Sequence, residues 1–261
     1  MQVREAALSD TPDMTVPANL SEDFFLDGKV TLRQPINGYR AAIDPIMLAA
    51  TVDVKPGDKV FEAGTGHGAA AICLARRCAN CSVTGIDIQP EIVRLANDNV
   101  ALNGLSGRVQ VLVSDLVGPL PGLNAGAFDH AIANPPFLDV NSADISPVHG
   151  RAFANVEGEA TLSNWIDLLL AMVKMKGAIT LIQRADRLDE ILTLLRGRAG
   201  DTVVFPLWPK KGVPAKRVLV QARKGVRTPM TMSPGLVLHD TYGGYTKKVD
   251  AILRGSACRI S

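Results

Sequence analysis

Between Lys59 and Ala222 short apolar runs alternate with segments of helical periodicity. Runs that are apolar on both faces belong to a parallel sheet covered by helices on each side, because an open antiparallel sheet would show a polar face. Strands are predicted over residues 59–63, 82–87, 109–113, 129–133, 178–183, 202–207 and 217–222, with helices over 69–77, 90–103, 162–175 and 187–198. A shorter helix is expected after Asp44-Pro45, with Asp44 as N-cap, Pro45 in the first helical position, and the apolar run from Ile46 to Val52 behind them. Residues 1–35 are polar and broken by Pro12, Pro17 and Pro35, so they read as a loose arm with a short hairpin around Asp27-Gly28. Residues 36–261 then form one doubly wound α/β domain. With 47% hydrophobic residues, a chain of 261 residues can bury one large core.

The first predicted strand runs into Glu62-Ala63-Gly64-Thr65-Gly66-His67-Gly68, a glycine-rich turn that feeds a helix. Such a turn bends sharply and lets a ligand lie against bare backbone. Gly64, Gly66 and Ala69 also satisfy the dinucleotide fingerprint, and Asp87 stands where a ribose-binding acid belongs. Glu62 argues against a dinucleotide: a carboxylate beside the loop would repel the pyrophosphate that sits over the helix N-terminus. It suits a cationic donor such as S-adenosylmethionine, which carries an ammonium and a sulfonium. After the third strand, Asp115 can accept from an adenine amino group while Leu116 packs on the ring. Glu62, Asp87 and Asp115 thus close three successive strands on one sheet edge. The expected cofactor set is Asp44, Glu62, Gly64, Thr65, Gly66, Gly68, Asp87, Ile88, Asp115, Leu116 and Asn134, with Tyr39 beside Asp44 and no role for His67 beyond lining the loop.

The fourth strand leads directly into Asn134-Pro135-Pro136-Phe137. Two prolines cannot continue a ladder, so they freeze the backbone and fix where the neighbouring carbonyls point. An exocyclic amine or carboxamide nitrogen is a weak nucleophile because its lone pair is delocalised. Asn134 Oδ1 and the Pro135 carbonyl can each accept one of its N–H bonds and draw the nitrogen toward pyramidal geometry, a preorganised acceptor pair. Phe137 offers a flat face for a heteroaromatic ring. The four residues are the expected catalytic set, and this chemistry needs no metal.

Net charge is +2 but unevenly placed: residues 1–140 hold ten Lys/Arg against sixteen Asp/Glu, and residues 141–261 hold eighteen against ten. From Thr202 to His239, Lys210, Lys211, Lys216, Arg217, Arg223, Lys224 and Arg227 meet no acidic residue, which points to a polyanion. RNA is the expected partner, bound by those seven residues, and Trp208 and Tyr245 are available for stacking. Cys78 and Cys81 have the spacing of half a zinc site, but no second pair completes it, so the cysteines read as incidental thiols in a reduced compartment. No run approaches the ~18 apolar residues of a bilayer span, and a cytoplasmic location without membrane attachment is the natural expectation. No residue pattern argues for or against a homodimer.

Taken together, these motifs resemble the class I S-adenosylmethionine-dependent methyltransferases of the Asn-Pro-Pro-Tyr/Phe type, and most of all the bacterial valine-tRNA adenine N6-methyltransferase family. Weaker signals extend the likeness from about Pro35 to Arg254: Gly38-Tyr39-Arg40 through Asp44-Pro45, Ile182-Gln183-Arg184 with Asp186-Arg187-Leu188, and Lys216-Arg217-Val218-Leu219-Val220. The resemblance implies a Rossmann-like sheet of seven strands, mostly parallel with the last antiparallel. It implies the cofactor on Glu62, Gly64, Gly66, Asp87 and Asp115, and a target adenine in a tRNA anticodon loop on residues 134–137. Two departures are the Ala63-Gly64-Thr65 loop and Phe137 in place of the commoner tyrosine. Type members also include protein glutamine methyltransferases, so the acceptor class stays open between an adenine and a glutamine or small-molecule nitrogen. A module that binds cofactor or RNA without turnover is the remaining alternative.

Overall fold

The computed structural model describes residues 19–37, 40–137 and 160–260. Strands β3 (Lys59–Ala63), β4 (Ser82–Asp87) and β5 (Val109–Val113) run parallel and side by side. The chain then returns to the other flank of β3 as β6 (Phe128–Ala133), followed outward by β7 (Val173–Arg184). β9 (Arg217–Lys224) inserts antiparallel between β7 and β8 (Ala199–Trp208). The order β8-β9-β7-β6-β3-β4-β5 is the expected seven-stranded sheet. Two short strands, β10 (Thr231–Met232) and β11 (Leu236–Val237), pair with β8 and bring the sheet to nine.

Alternation along each strand sends successive side chains to opposite faces. Val60, Ile132, Ile182 and Leu219 enter one core with helices α1 (Ile43–Thr51) and α2 (Ala69–Arg77). Phe61, Ala131, Leu181 and Val220 enter the other, with α4 (Leu162–Met172) and α5 (Leu188–Leu195). Helix α3 (Pro90–Leu102) packs beside β5, and α6 (Lys247–Leu253) returns to α1. Fully buried Leu48, Ile72 and Leu169 each contribute roughly 1.5–3 kcal/mol.

Three expectations change. The hairpin β1 (Leu20–Phe25) and β2 (Val30–Pro35) forms around Asp27-Gly28, yet it is docked. Asn99 and Asn103, four apart on one face of α3, bond the β2 backbone: Arg33 N to Asn99 Oδ1 at 2.8 Å, Thr31 N to Asn103 Oδ1 at 3.0 Å, and both amides return a bond to the carbonyls. Leu26, Val30 and Leu32 join the core beneath. The helix predicted to residue 175 ends at Met172, and Val173 begins β7 at once. In a run as apolar as Leu168 to Val173 periodicity cannot separate helix from strand. The helix predicted to residue 198 stops at Leu195, just ahead of Gly197, whose φ of 76° no ordinary residue adopts cheaply.

Candidate active site

β3 ends at Ala63 and the chain turns through Gly64, Gly66 and Gly68, with φ of 63°, 54° and 91°. Thr65 N donates to Ile86 O (2.9 Å), Gly68 N to Thr65 O (3.1 Å) and Gly66 N to Asp87 Oδ2 (3.0 Å), so the loop is stitched to β4. Two glycines are steric necessities. A Cβ on Gly64 would lie 2.4 Å from the Trp165 ring, and one on Gly85 would lie 2.1 Å from Thr65 Oγ1. Gly66 differs, because a Cβ there would meet nothing within 4 Å among the described residues. Trp165, on α4, is a neighbour of the loop that sequence reasoning missed, since no local signal ties residue 165 to residue 64.

Glu62 is buried, and its Oε2 has no hydrogen-bond partner among the described residues. Burial pushes its carboxyl well above the usual range, the nearby Asp87 adds to the rise, and the Ala71 amide in the first turn of α2 acts against it. Asp87 is also raised by burial, against the backbone amides of Gln89, Gly66 and Ile88. Asp115 stands two residues beyond β5, exposed, and its Oδ1 accepts from Val117 N at 2.9 Å. Ile88 is exposed beside Asp87, while Leu116 packs against the core. The three acids do end adjacent parallel strands, and the Asp87 charge is felt at Glu62.

On the other flank of β3, Asn134-Pro135-Pro136-Phe137 leaves the end of β6. The reversal of strand order between β3 and β6 opens the crevice where doubly wound sheets take ligands. Asn134 Oδ1 is buried without a partner among the described residues. Fully buried Gln183, in β7, donates Nε2 to Pro136 O at 3.0 Å and accepts from Arg184 N at 2.8 Å. The Arg217 guanidinium lies 4.0 Å over the Phe137 ring and reaches Asp44 Oδ2 at 3.3 Å. Gln183 and Arg217 therefore clamp the tetrapeptide from β7 and β9.

This arrangement corrects the expectation that Asp44 caps a helix. Helix α1 starts at Ile43 after Ala42, with no side-chain cap bond, and Asp44 turns instead to Arg217. Burial raises its carboxyl against that partner. Arg217 in turn is spent inside the site, not displayed on an open surface. Tyr39 and residues 138–159 fall outside the described residues.

The basic run divides between the two ends of β9. Lys210, Lys211, Lys216 and Arg217 stand at the end where β7 and β8 finish, next to the tetrapeptide. Arg223, Lys224 and Arg227 stand at the opposite end, where Arg223 Nε bonds Lys176 O at 3.1 Å and Lys224 Nζ bonds Val173 O at 3.0 Å. The six residue steps from Arg217 to Arg223 span about 20 Å of strand. The two groups lie at opposite edges of the sheet. Among the described residues no group of three His, Cys, Asp or Glu is placed to hold a metal, and no helix is long and apolar enough to cross a membrane. The Cys81 thiol bonds Cys78 O at 3.4 Å.

The strand order, the antiparallel β9 and the acid-lined glycine loop together form a Rossmann-like sheet similar to that of S-adenosylmethionine-dependent methyltransferases. Residues 43–155 match the family model described as the methyltransferase small domain. A Haemophilus influenzae (strain PittGG) relative named tRNA1(Val) (adenine(37)-N6)-methyltransferase is 27% identical over 152 residues, covering 58% of this chain and 64% of the relative. One of the same name from Aeromonas salmonicida (strain A449) is 24% identical over 215 residues, 80% of this chain and 86% of the relative. Against three of these relatives the match spans only 64%, 60% and 49% of their length. A solved structure of a predicted O-methyltransferase from Agrobacterium tumefaciens superposes with a TM-score of 0.70 at 26% identity, covering 83% of this chain and 98% of that one.

Proposed function

We propose that the chain methylates N6 of an adenine in RNA, in the anticodon loop of a tRNA, using S-adenosylmethionine. The observation that carries this reading is Asn134 Oδ1, buried at the end of β6 without a partner among the described residues. Leaving such an acceptor unmet costs about 1–3 kcal/mol, a cost that an incoming N–H donor relieves. Glu62 Oε2 is a second such atom, on the glycine-loop side of the same crevice.

The residues present fit the cofactor. Glu62 and Asp87 offer carboxylates to its ammonium and hydroxyl groups, the Cβ-free ground at Gly66 leaves room against backbone, and Ile88, Asp115 and Leu116 border the next strand ends, where an adenine ring fits. When bound, it supplies an electrophilic methyl on a sulfonium. Asn134 Oδ1 and the Pro135 carbonyl then accept the two N–H bonds of the target amine and aim its lone pair across the crevice. Phe137 stacks on the base with its far face held by Arg217, and Gln183 keeps the Pro136 carbonyl from competing. The methylated nitrogen is acidic and releases its proton to water, so no side chain need act as base.

RNA is favoured over a protein glutamine by the lysines that flank the tetrapeptide. The relatives' names agree with this choice. Labelled methyl transfer to tRNA from a strain lacking this gene tests it: N6-methyladenosine is expected, and Asn134→Ala should abolish it while cofactor binding persists. Label in a protein glutamine, or full activity in the variant, would redirect the assignment.

A further inference from the structure

Lys210, Lys211 and Lys216 border a surface that the site described above does not use. β11 lies beside the end of β8, and the chain continues along it, with Leu238 N on Trp208 O at 2.7 Å and His239 N on Pro209 O at 3.0 Å. It then turns through residues 240–244 on the same edge of the sheet as the tetrapeptide. Trp208 follows Leu207, which pairs with Arg217, the residue over Phe137. From β6 to β8 is three strand spacings, about 14 Å.

Two aromatic rings stand on this edge, one held by a hydrogen bond and one projecting from a bonded turn. Trp208 Nε1 donates to Pro234 O at 3.0 Å, which fixes the indole beside a recess of about 600 Å³ lined by Lys211, Val213, Pro214, Pro234 and Val237. Tyr242 is 96% exposed, yet its turn is rigid: Asp240 Oδ1 accepts from Tyr242 N (2.9 Å) and Gly244 N (3.1 Å), and Asp240 N donates to Gly244 O (2.8 Å). His239 and Tyr245 close the turn as a stacked pair, centroids 5.0 Å apart. The acid on this turn is thereby engaged with backbone, while the three lysines are exposed.

We infer that this edge is a stacking platform for the single-stranded nucleotides flanking the target base. One base enters the Trp208–Pro214 recess, another lies on Tyr242, and Lys210, Lys211 and Lys216 meet the phosphates between them. Flat exposed rings interleaved with lysines recognise single strands, since every base has a π face and every link a charge. An acidic peptide would satisfy the lysines but, unlike a single strand of nucleic acid, does not present a flat ring beside every charge. Because the indole and the turn backbone are already ordered, binding loses little to their immobilisation. Arg223, Lys224 and Arg227 take no part. The inference rests on the RNA reading proposed above.

The test uses the full chain and an RNA hairpin with a single-stranded, adenine-containing loop, with affinity measured by fluorescence anisotropy over a salt series. Tyr242→Ala, an exposed change that leaves the fold intact, should weaken RNA binding about tenfold, with cofactor affinity and turnover at saturating RNA unchanged. Lys210→Gln with Lys211→Gln should lower the slope of log affinity against log salt by about 1.4 to 1.8. Arg223→Gln should alter neither. A chain that methylates RNA but binds it equally well after Tyr242→Ala and the double lysine change overturns the platform alone. So does loss of the salt slope with no effect of Tyr242→Ala, which is the result for a surface read by charge only. Wild-type chain that neither binds nor methylates RNA overturns both this inference and the reading beneath it.

Discussion

The two edges of the central sheet treat polar groups in opposite ways. Where the parallel strands begin, charges close on one another. Asp129 is met by Lys174 and by Lys59 N at 2.8 Å, Asp58 by His130 at 3.2 Å and Lys55 N at 2.8 Å, and Lys224 and Arg223 by carbonyls of β7 and its bend. Although burial raises the Asp129 carboxyl, Lys174 and the Lys59 amide together hold it below the usual range. Where the strands finish, Glu62 Oε2 and Asn134 Oδ1 are buried without partners among the described residues, and the carboxyls of buried Glu62 and half-buried Asp87 are both pushed up by desolvation. Native interiors satisfy nearly all their polar atoms, so unmet acceptors on this edge are what the function proposed above draws on. The starting edge pairs its charges and leaves His130 Nδ1 as its unmet atom among the described residues, while the finishing edge holds two unmet acceptors beside the crevice.

Breaking that contrast should be most costly at Asn134. Its replacement by Ala is expected to lower methyl transfer by about 10²–10³-fold or more, read as single-turnover rate, with cofactor affinity kept. Next is acid sensitivity in the glycine loop. Burial, with the Arg40 charge second, lowers His67 from 6.5 to about 4. A depressed folded value means that the stability is complete above pH 6.5 and is lost as pH falls toward 4. Urea midpoints taken at pH 7 and 4.5 should therefore diverge by on the order of 2–3 kcal/mol, and His67→Gln should remove most of the difference.

Arg217→Gln should cut turnover about tenfold, because it frees Phe137 and leaves half-buried Asp44 without its guanidinium. An effect on RNA affinity alone would instead return Arg217 to the surface role read from sequence. Smaller still, Glu62→Gln should raise the apparent Tm of the cofactor-free chain at pH 8 by about 2–4 °C while weakening cofactor binding. The sign follows from a raised folded value: the carboxyl's stability is full below its ordinary range and is lost as pH climbs through the shifted one. At the opposite edge, Arg223→Gln should change stability by less than about 0.5 kcal/mol and kinetics not at all, since its 3.9 Å pair with Asp201 is solvent-exposed.

Much of the architecture was legible because alternation, glycine turns and proline stops are local. The ends of β3, β4 and β5 lie where the apolar runs stop, and α2 spans the predicted residues. Helix α4 was read too long because nothing in Leu168 to Val173 is polar. Of the site, Glu62, Asp87, Gly66 and Asn134 could be nominated from position alone, since a residue at a strand tip in a doubly wound sheet faces the crevice. The reach of Asp44 to Arg217, across 173 positions, carries no local trace. Nor does the contact of Trp165 with Gly64.

Composition and order along the chain thus determined the sheet, the glycine loop, the acid row and the tetrapeptide, because backbone conformation and burial pattern are set within a few residues. Only the tertiary structure decided which acids sense each other, that Gln183 and Arg217 grip the tetrapeptide, and that one continuous basic run serves two separate edges. A strand carries its two ends about 20 Å apart, and no reading of charge along the sequence contains that distance.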